Sequence, residues 1–156
     1  MNQMRPVGPR LSAETLHSST VAKDDRAVLI TGPSGSGKSD LALRLLDRGF
    51  VLVSDDQTIV RREGDRLLAT APPTIAGKIE VRGLGIMPVP FLPEAELVLV
   101  CDLVGGKDVP RMPPESEKAT VLAGVPLPTL RLAPFEASAP LKLKMALLRV
   151  TPDNAN

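Results

Sequence analysis

The run Gly32-Pro33-Ser34-Gly35-Ser36-Gly37-Lys38-Ser39 fits the pattern Gly-x-x-x-x-Gly-Lys-Ser/Thr and constrains this chain more than any other stretch. Glycines in such a loop let successive backbone N–H groups converge on a polyphosphate. The lysine then reaches the outer phosphates, and the final hydroxyl can ligate a divalent cation. A loop of this kind needs a buried strand before it and a helix after it. Ala27-Val28-Leu29-Ile30-Thr31 is an apolar run of strand length. Beyond the loop, Leu41, Ala42, Leu45 and Leu46 share one helical face. The N-terminus of that helix adds positive character beneath bound phosphate. All eight loop residues are therefore candidate nucleotide-binding positions.

Composition narrows the remaining classes. Apolar residues make up 43% of 156 positions but aromatics only 2%, so the core must be aliphatic. The formal net charge of +1 gives no electrostatic footprint for nucleic acid. With neither Trp nor Tyr, stacking on single strands is also disfavoured. Cys101 is the sole cysteine, which excludes an internal disulfide and a cysteine-cluster zinc site; in its apolar run it reads as a small buried hydrophobe. No apolar run approaches the roughly 18 residues of a membrane helix, and the N-terminus has no signal-type hydrophobic region. The expectation is a soluble, cytoplasmic protein with no nucleic-acid or membrane partner.

Along the chain, residues 1–12 carry Pro6, Gly8 and Pro9 and read as a flexible arm. Residues 13–150 read as one domain, and 151–156 as a frayed tail. Ser18-Ser19-Thr20-Val21 reads as an edge strand, and Gly49 as a helix C-cap. Phe50-Val51-Leu52-Val53 is a second buried strand ending at Ser54-Asp55-Asp56. Residues 58–62 and 66–70, divided by Glu63-Gly64-Asp65, form a β-hairpin pattern. Prolines and glycines from 72 to 93 interrupt any long helix. Leu97–Leu103, 121–127 and 129–132 are strand-like. Pro140–Val150 is the last helix, with Leu141, Met145 and Leu148 as its expected inner stripe. Nucleoside-monophosphate and shikimate-type kinases alternate strand and helix, whereas this chain is mostly β after its first helix. No Asn-Lys-x-Asp guanine-reading motif occurs.

Several polar residues stand where phosphoryl chemistry could use them. Asp55 and Asp56 close a strand, and adjacent residues there point to opposite sides. One carboxylate can face a metal or an attacking hydroxyl while the other is held elsewhere; a solvated acidic turn is the plain alternative. His17 by itself reads more readily as a surface or satisfied core residue than as a functional one. Glu80, ahead of Gly83 and Gly85, is a weak metal-ligand candidate, and Arg111 reads as an exposed loop cation.

Four landmarks in order change that balance: His17, the loop 32–39, Val53-Ser54-Asp55-Asp56, and Ile79-Glu80-Val81-Arg82-Gly83-Leu84-Gly85-Ile86-Met87-Pro88-Val89. Together with Ala71-Pro72-Pro73, they resemble the C-terminal catalytic domain of the bacterial HPr kinase/phosphorylase family, over roughly residues 16–135. The resemblance implies an α/β P-loop fold of the phosphoenolpyruvate-carboxykinase-like type, with a mixed β-sheet core and few helices. It implies ATP- and Mg²⁺-dependent phosphorylation of a serine on an HPr-like phosphocarrier of the sugar phosphotransferase system, with a reverse phosphorylase reaction and a homo-oligomer, a hexamer in the family. Asp55 would match the family's catalytic acid/base, with His17 beside it and Lys38 on the phosphates. Ser39 and Glu80 would ligate the divalent ion, with Asp56 as a second acid at the metal. Arg111 would match the arginine of the family's mobile loop. Ser18 stands where the family usually has Gly, and residues after Gly105 match poorly; the expectation is a short form without the N-terminal domain. A P-loop kinase of a small metabolite and a non-catalytic nucleotide sensor remain the alternatives.

Overall fold

Ala27, Val28, Leu29 and Ile30 are all buried, so the strand that feeds the glycine-rich loop is covered on both faces. The computed structural model describes residues 12–112 and 119–150. The expected arm, apart from Ser12, and the expected tail lie outside the described residues. In chain order the strands are β1 (Ala13–His17), β2 (Ser19–Lys23), β3 (Arg26–Thr31), β4 (Val51–Ser54), β5 (Gln57–Glu63), β6 (Arg66–Thr70), β7 (Lys78–Val81), β8 (Gly85–Pro88), β9 (Ala95–Leu103), β10 (Thr120–Leu122), β11 (Val125–Leu127) and β12 (Thr129–Leu132). The helices are α1 (Lys38–Leu46), directly after the glycine-rich loop, and α2 (Ala139–Arg149).

The central sheet runs β1-β5-β6-β9-β3-β2-β4, with β12 also joined to β9. Strand β9 pairs parallel with β3 along its length. Its other edge is shared: Ala95–Leu97 pair antiparallel with β6, and Val100–Leu103 pair parallel with β12. Thus β3, β9 and β12 point their C-termini the same way. The result is the mixed sheet with few helices expected from the sequence. Alternate residues of β3 separate two cores. Val28 and Ile30 join Leu41, Leu45, Leu143 and Leu147 on the helical face. Ala27 and Leu29 join Val60, Leu67, Leu122 and Leu127 on the other. Gly49 takes φ +93, as a left-handed helix stop requires. None of the described helices is long and apolar enough to cross a membrane.

Three expectations need correction. Strand β2 is interior, between β3 and β4, rather than an edge. The polar Ser18-Ser19-Thr20 run leading into it is buried because hydroxyls across the sheet satisfy it: Ser18 Oγ donates to Thr58 Oγ1 at 3.0 Å, and Thr20 and Thr58 hydroxyls meet at 2.7 Å. Residues 121–127 are not one strand. Ala123 and Gly124 both have positive φ, which folds the segment into the β10–β11 hairpin. On α2 the inward face is Ala139, Leu143, Ala146 and Leu147, while Leu141, Met145 and Leu148 are exposed. Leucines occupy both sides of this helix, and the alanines settle the choice by allowing close approach to the sheet. Burial of Leu143 alone is worth about 1.5–3 kcal/mol.

Candidate active site

At the end of β4 the chain turns tightly, with the Gln57 N–H donating to the Asp55 carbonyl at 2.9 Å. Asp56 occupies the left-handed region at φ +75, a conformation that aspartate tolerates better than most residues. The two carboxylates therefore diverge. Asp55 is 5% exposed, and its Oδ1 accepts from Ser19 Oγ at 2.8 Å and Ser39 Oγ at 2.7 Å. Its Oδ2 accepts the Glu80 backbone N–H at 3.0 Å. One buried carboxylate thus ties β2, the first turn of α1 and the β7–β8 hairpin together. The Asp56 side chain is 66% exposed, with Oδ1 lying 3.7 Å from His17 Nε2 at the end of β1.

The glycine-rich loop lies beside this cluster. Gly35 and Gly37 both have positive φ, so side-chain-bearing residues would be strained there. Lys38 is nearly buried, and its Nζ donates to the carbonyls of Gly32 and Pro33 at 2.8 and 3.1 Å. The ammonium is held within the loop, and Gly37 to Asp40, where α1 begins with unpaired N–H groups, line the same space. A polar recess of about 620 Å³ results, lined by His17, Lys38, Ser39, Asp56, Glu80 and Arg82 among others.

Among the described residues no three His, Cys, Asp or Glu side chains gather as a metal cage. Magnesium does not need one: it is commonly bound by one or two carboxylates, water and substrate phosphates. The contact of Ser39 Oγ with Asp55, and the Glu80 side chain at the recess, supply hard oxygen donors of that kind. The residues present fit such an ion.

His17, Asp55, Asp56, Lys38, Ser39 and Glu80 are thus brought together. Arg111 is not: it lines a separate recess with Arg131 and Arg149, beside β12 and α2. Arg82, in the Ile79–Val89 motif, is exposed at the main recess, a position that the resemblance does not assign. Its sequence signal was only a cation two residues beyond Glu80; in the structure it stands in the turn between β7 and β8. Ser19 gave no signal beyond one hydroxyl among three in the Ser18-Ser19-Thr20 run. Phe135, also at this recess, was marked only by the scarcity of aromatics.

Comparison with known proteins agrees with this geometry. A family model described as the HPr Serine kinase C-terminal domain matches residues 10–99. An HPr kinase/phosphorylase of Clostridium tetani is 40% identical over 103 residues, 65% of this chain and 34% of the relative. One from Geobacillus thermodenitrificans is 40% identical over 116 residues, 67% of this chain and 37% of the relative. The chain therefore spans about a third of the length of these curated relatives. The solved structure of the Hpr(Ser) kinase/phosphatase from Coxiella burnetii superposes with a TM-score of 0.74 at 27% identity, covering 87% of this chain and 89% of the other.

Proposed function

The chain belongs to the HPr serine kinase C-terminal domain family, and from that premise we propose that it transfers the γ-phosphoryl group of ATP to a serine of an HPr-like phosphocarrier. The observation that carries the reading is the divergence of Asp55 and Asp56 at the mouth of a phosphate-binding loop. Asp55 is occupied by three hydrogen bonds, whereas Asp56, beside His17, is open to solvent where a protein hydroxyl can reach it. This supports exchanging the roles expected from the sequence. Asp56, with His17 beside it, orients the acceptor serine and takes its proton. Asp55 positions Ser39, and with Ser39 and Glu80 it forms the oxygen set for magnesium.

Magnesium, when bound, supplies neutralisation of charge on the phosphates. The chain's own groups do the rest. Lys38 and the loop N–H groups fix the β- and γ-phosphates in line with the acceptor. In a loose transition state the acceptor oxygen needs little base strength, so positioning by Asp56 matters more than its basicity. Arg82 is the exposed cation at the recess and can meet charge on the transferring phosphoryl group. The position of Arg111 gives no such support. Phosphorolysis would use the same atoms: an orthophosphate oxygen attacks the phosphoserine phosphorus, the P–O bond to serine breaks as pyrophosphate forms, and Asp56 returns to serine the proton it receives from the orthophosphate. Leu84, Ile86 and Met87, exposed on the segment after Glu80, favour a protein acceptor over a small metabolite. The family resemblance supports a homo-oligomer acting in the cytoplasm.

The test is transfer of labelled γ-phosphate from Mg-ATP to a purified HPr-type carrier, with Lys38→Ala as the blank. Acid-stable phosphoserine on the carrier, absent from the blank, is expected. ATP binding without label on the carrier would overturn the assignment.

A further inference from the structure

Strands β3, β9 and β12 run parallel, and the three loops at their C-terminal ends enclose a second recess beside the glycine-rich loop. Pro33 and Ser36 come from the first loop, Val104 to Gly106 from the second, and Ala133 to Glu136 from the third. Ligands of open α/β sheets bind in such a crevice, outside the carboxyl ends of parallel strands. The recess holds about 560 Å³, within the roughly 300–1,000 Å³ usual for small-molecule sites, and its lining is mainly apolar.

Phe135 joins this recess to the phosphate recess, because it lines both. It is one of three aromatic residues in the chain and is 71% exposed. A Cβ placed on Gly37 would lie 2.9 Å from Phe135 Cζ, so the tip of the ring rests on the loop while its face stays open. Arg44 donates to the Pro134 carbonyl, which pins the segment bearing this ring to α1. Ser36 Oγ, in the same lining, is buried without a hydrogen-bond partner, the one such side-chain atom among the described residues.

We propose that this recess is the nucleobase subsite, with Phe135 as the platform on which the base of the bound nucleoside triphosphate stacks. The inference rests on the reading of residues 32–39 as the phosphate site. The phosphates lie on the loop with their transferable end toward Asp56, on the β2–β4 side, so the nucleoside leaves toward β9 and β12. There it meets Phe135, and Ser36 Oγ gains a polar partner. Glu136 is held by Lys142 at 2.7 Å, so few side chains are free to read a base edge. Recognition is through the face of the base.

The experiment compares binding of Mg-ATP and of inorganic tripolyphosphate, which has no base, to the parent protein, Phe135→Ala and Phe135→Tyr. Base–aromatic stacking predicts that Phe135→Ala weakens ATP binding by about 5- to 150-fold, leaves tripolyphosphate binding unchanged, and is rescued by Phe135→Tyr. Photolabelling with 8-azido-ATP should mark residues 104–106 or 133–136. Equal loss for both ligands, or no loss for either, overturns the subsite, as does a rise confined to the KM for the carrier. A parent protein that binds tripolyphosphate as tightly as ATP removes the base subsite and leaves the phosphate loop standing. Binding of neither ligand removes both.

Discussion

Replacing Asp55 by alanine deletes one acceptor for three donors: Ser19 Oγ, Ser39 Oγ and the Glu80 N–H. Ser39 is partly open and turns to water, but Ser19 is fully buried and the Glu80 amide is partly so. Stranding buried donors costs about 1–3 kcal/mol each, and release of a buried charge offsets part of this, leaving a net loss of about 2–3 kcal/mol. For a domain of this size that lowers Tm by about 4–12 °C. Asp55→Asn keeps an oxygen for the serines but points an amide N–H₂ at the Glu80 N–H, a loss of about 1–2 kcal/mol. Asp56→Asn changes an exposed residue whose left-handed backbone asparagine also accepts, so its effect stays within about 0.5 kcal/mol. Because the chain has neither Trp nor Tyr, unfolding is best followed by far-UV circular dichroism in urea. A fall in the midpoint at constant m-value reports stability alone. If Asp56→Asn proves more destabilising than Asp55→Ala, the buried and exposed carboxylates have been assigned the wrong way round.

Other perturbations separate further parts of the account. Leu143→Ala should cost about 2–5 kcal/mol and Leu141→Ala under about 0.5, since only the former is buried; equal losses in urea unfolding would restore the stripe expected from sequence. Arg82→Ala should slow phosphoryl transfer by at least about tenfold, while Arg111→Ala leaves it within about twofold; the opposite order would return the role to Arg111. Burial, helped by the neighbouring Asp102 charge, pushes the Cys101 thiol well above its ordinary range, so little reactive thiolate forms at pH 8. Ellman's reagent should therefore label Cys101 only after denaturation, and rapid labelling of the native protein would contradict its burial in β9.

What the sequence made legible was local. The loop 32–39, its flanking strand and helix, and the β5–β6 hairpin each carry their signal within a dozen or so residues. What it left obscure depends on partners far along the chain. Ser18, Ser19 and Thr20 look like edge residues until Thr58 and Asp55 satisfy their hydroxyls. Alternation at a strand end indicated that Asp55 and Asp56 diverge, but which one faces inward is set by the turn at Asp56 and by Ser39 and Glu80. The face of α2 was ambiguous because Leu141, Leu143, Leu147 and Leu148 offer two stripes. Phe135 reaches the loop only because β12 pairs with β9, a contact that no local pattern announces.

The most direct test of the account is a rapid-quench measurement of single-turnover transfer from labelled Mg-ATP to the carrier serine, in the parent protein and in Asp56→Asn, with ATP affinity measured alongside. With Asp56 at the acceptor hydroxyl, the transfer rate should fall by about 10²-fold or more while ATP affinity changes less than about threefold. A variant that transfers at the parent rate would contradict the placement of Asp56 at the acceptor hydroxyl.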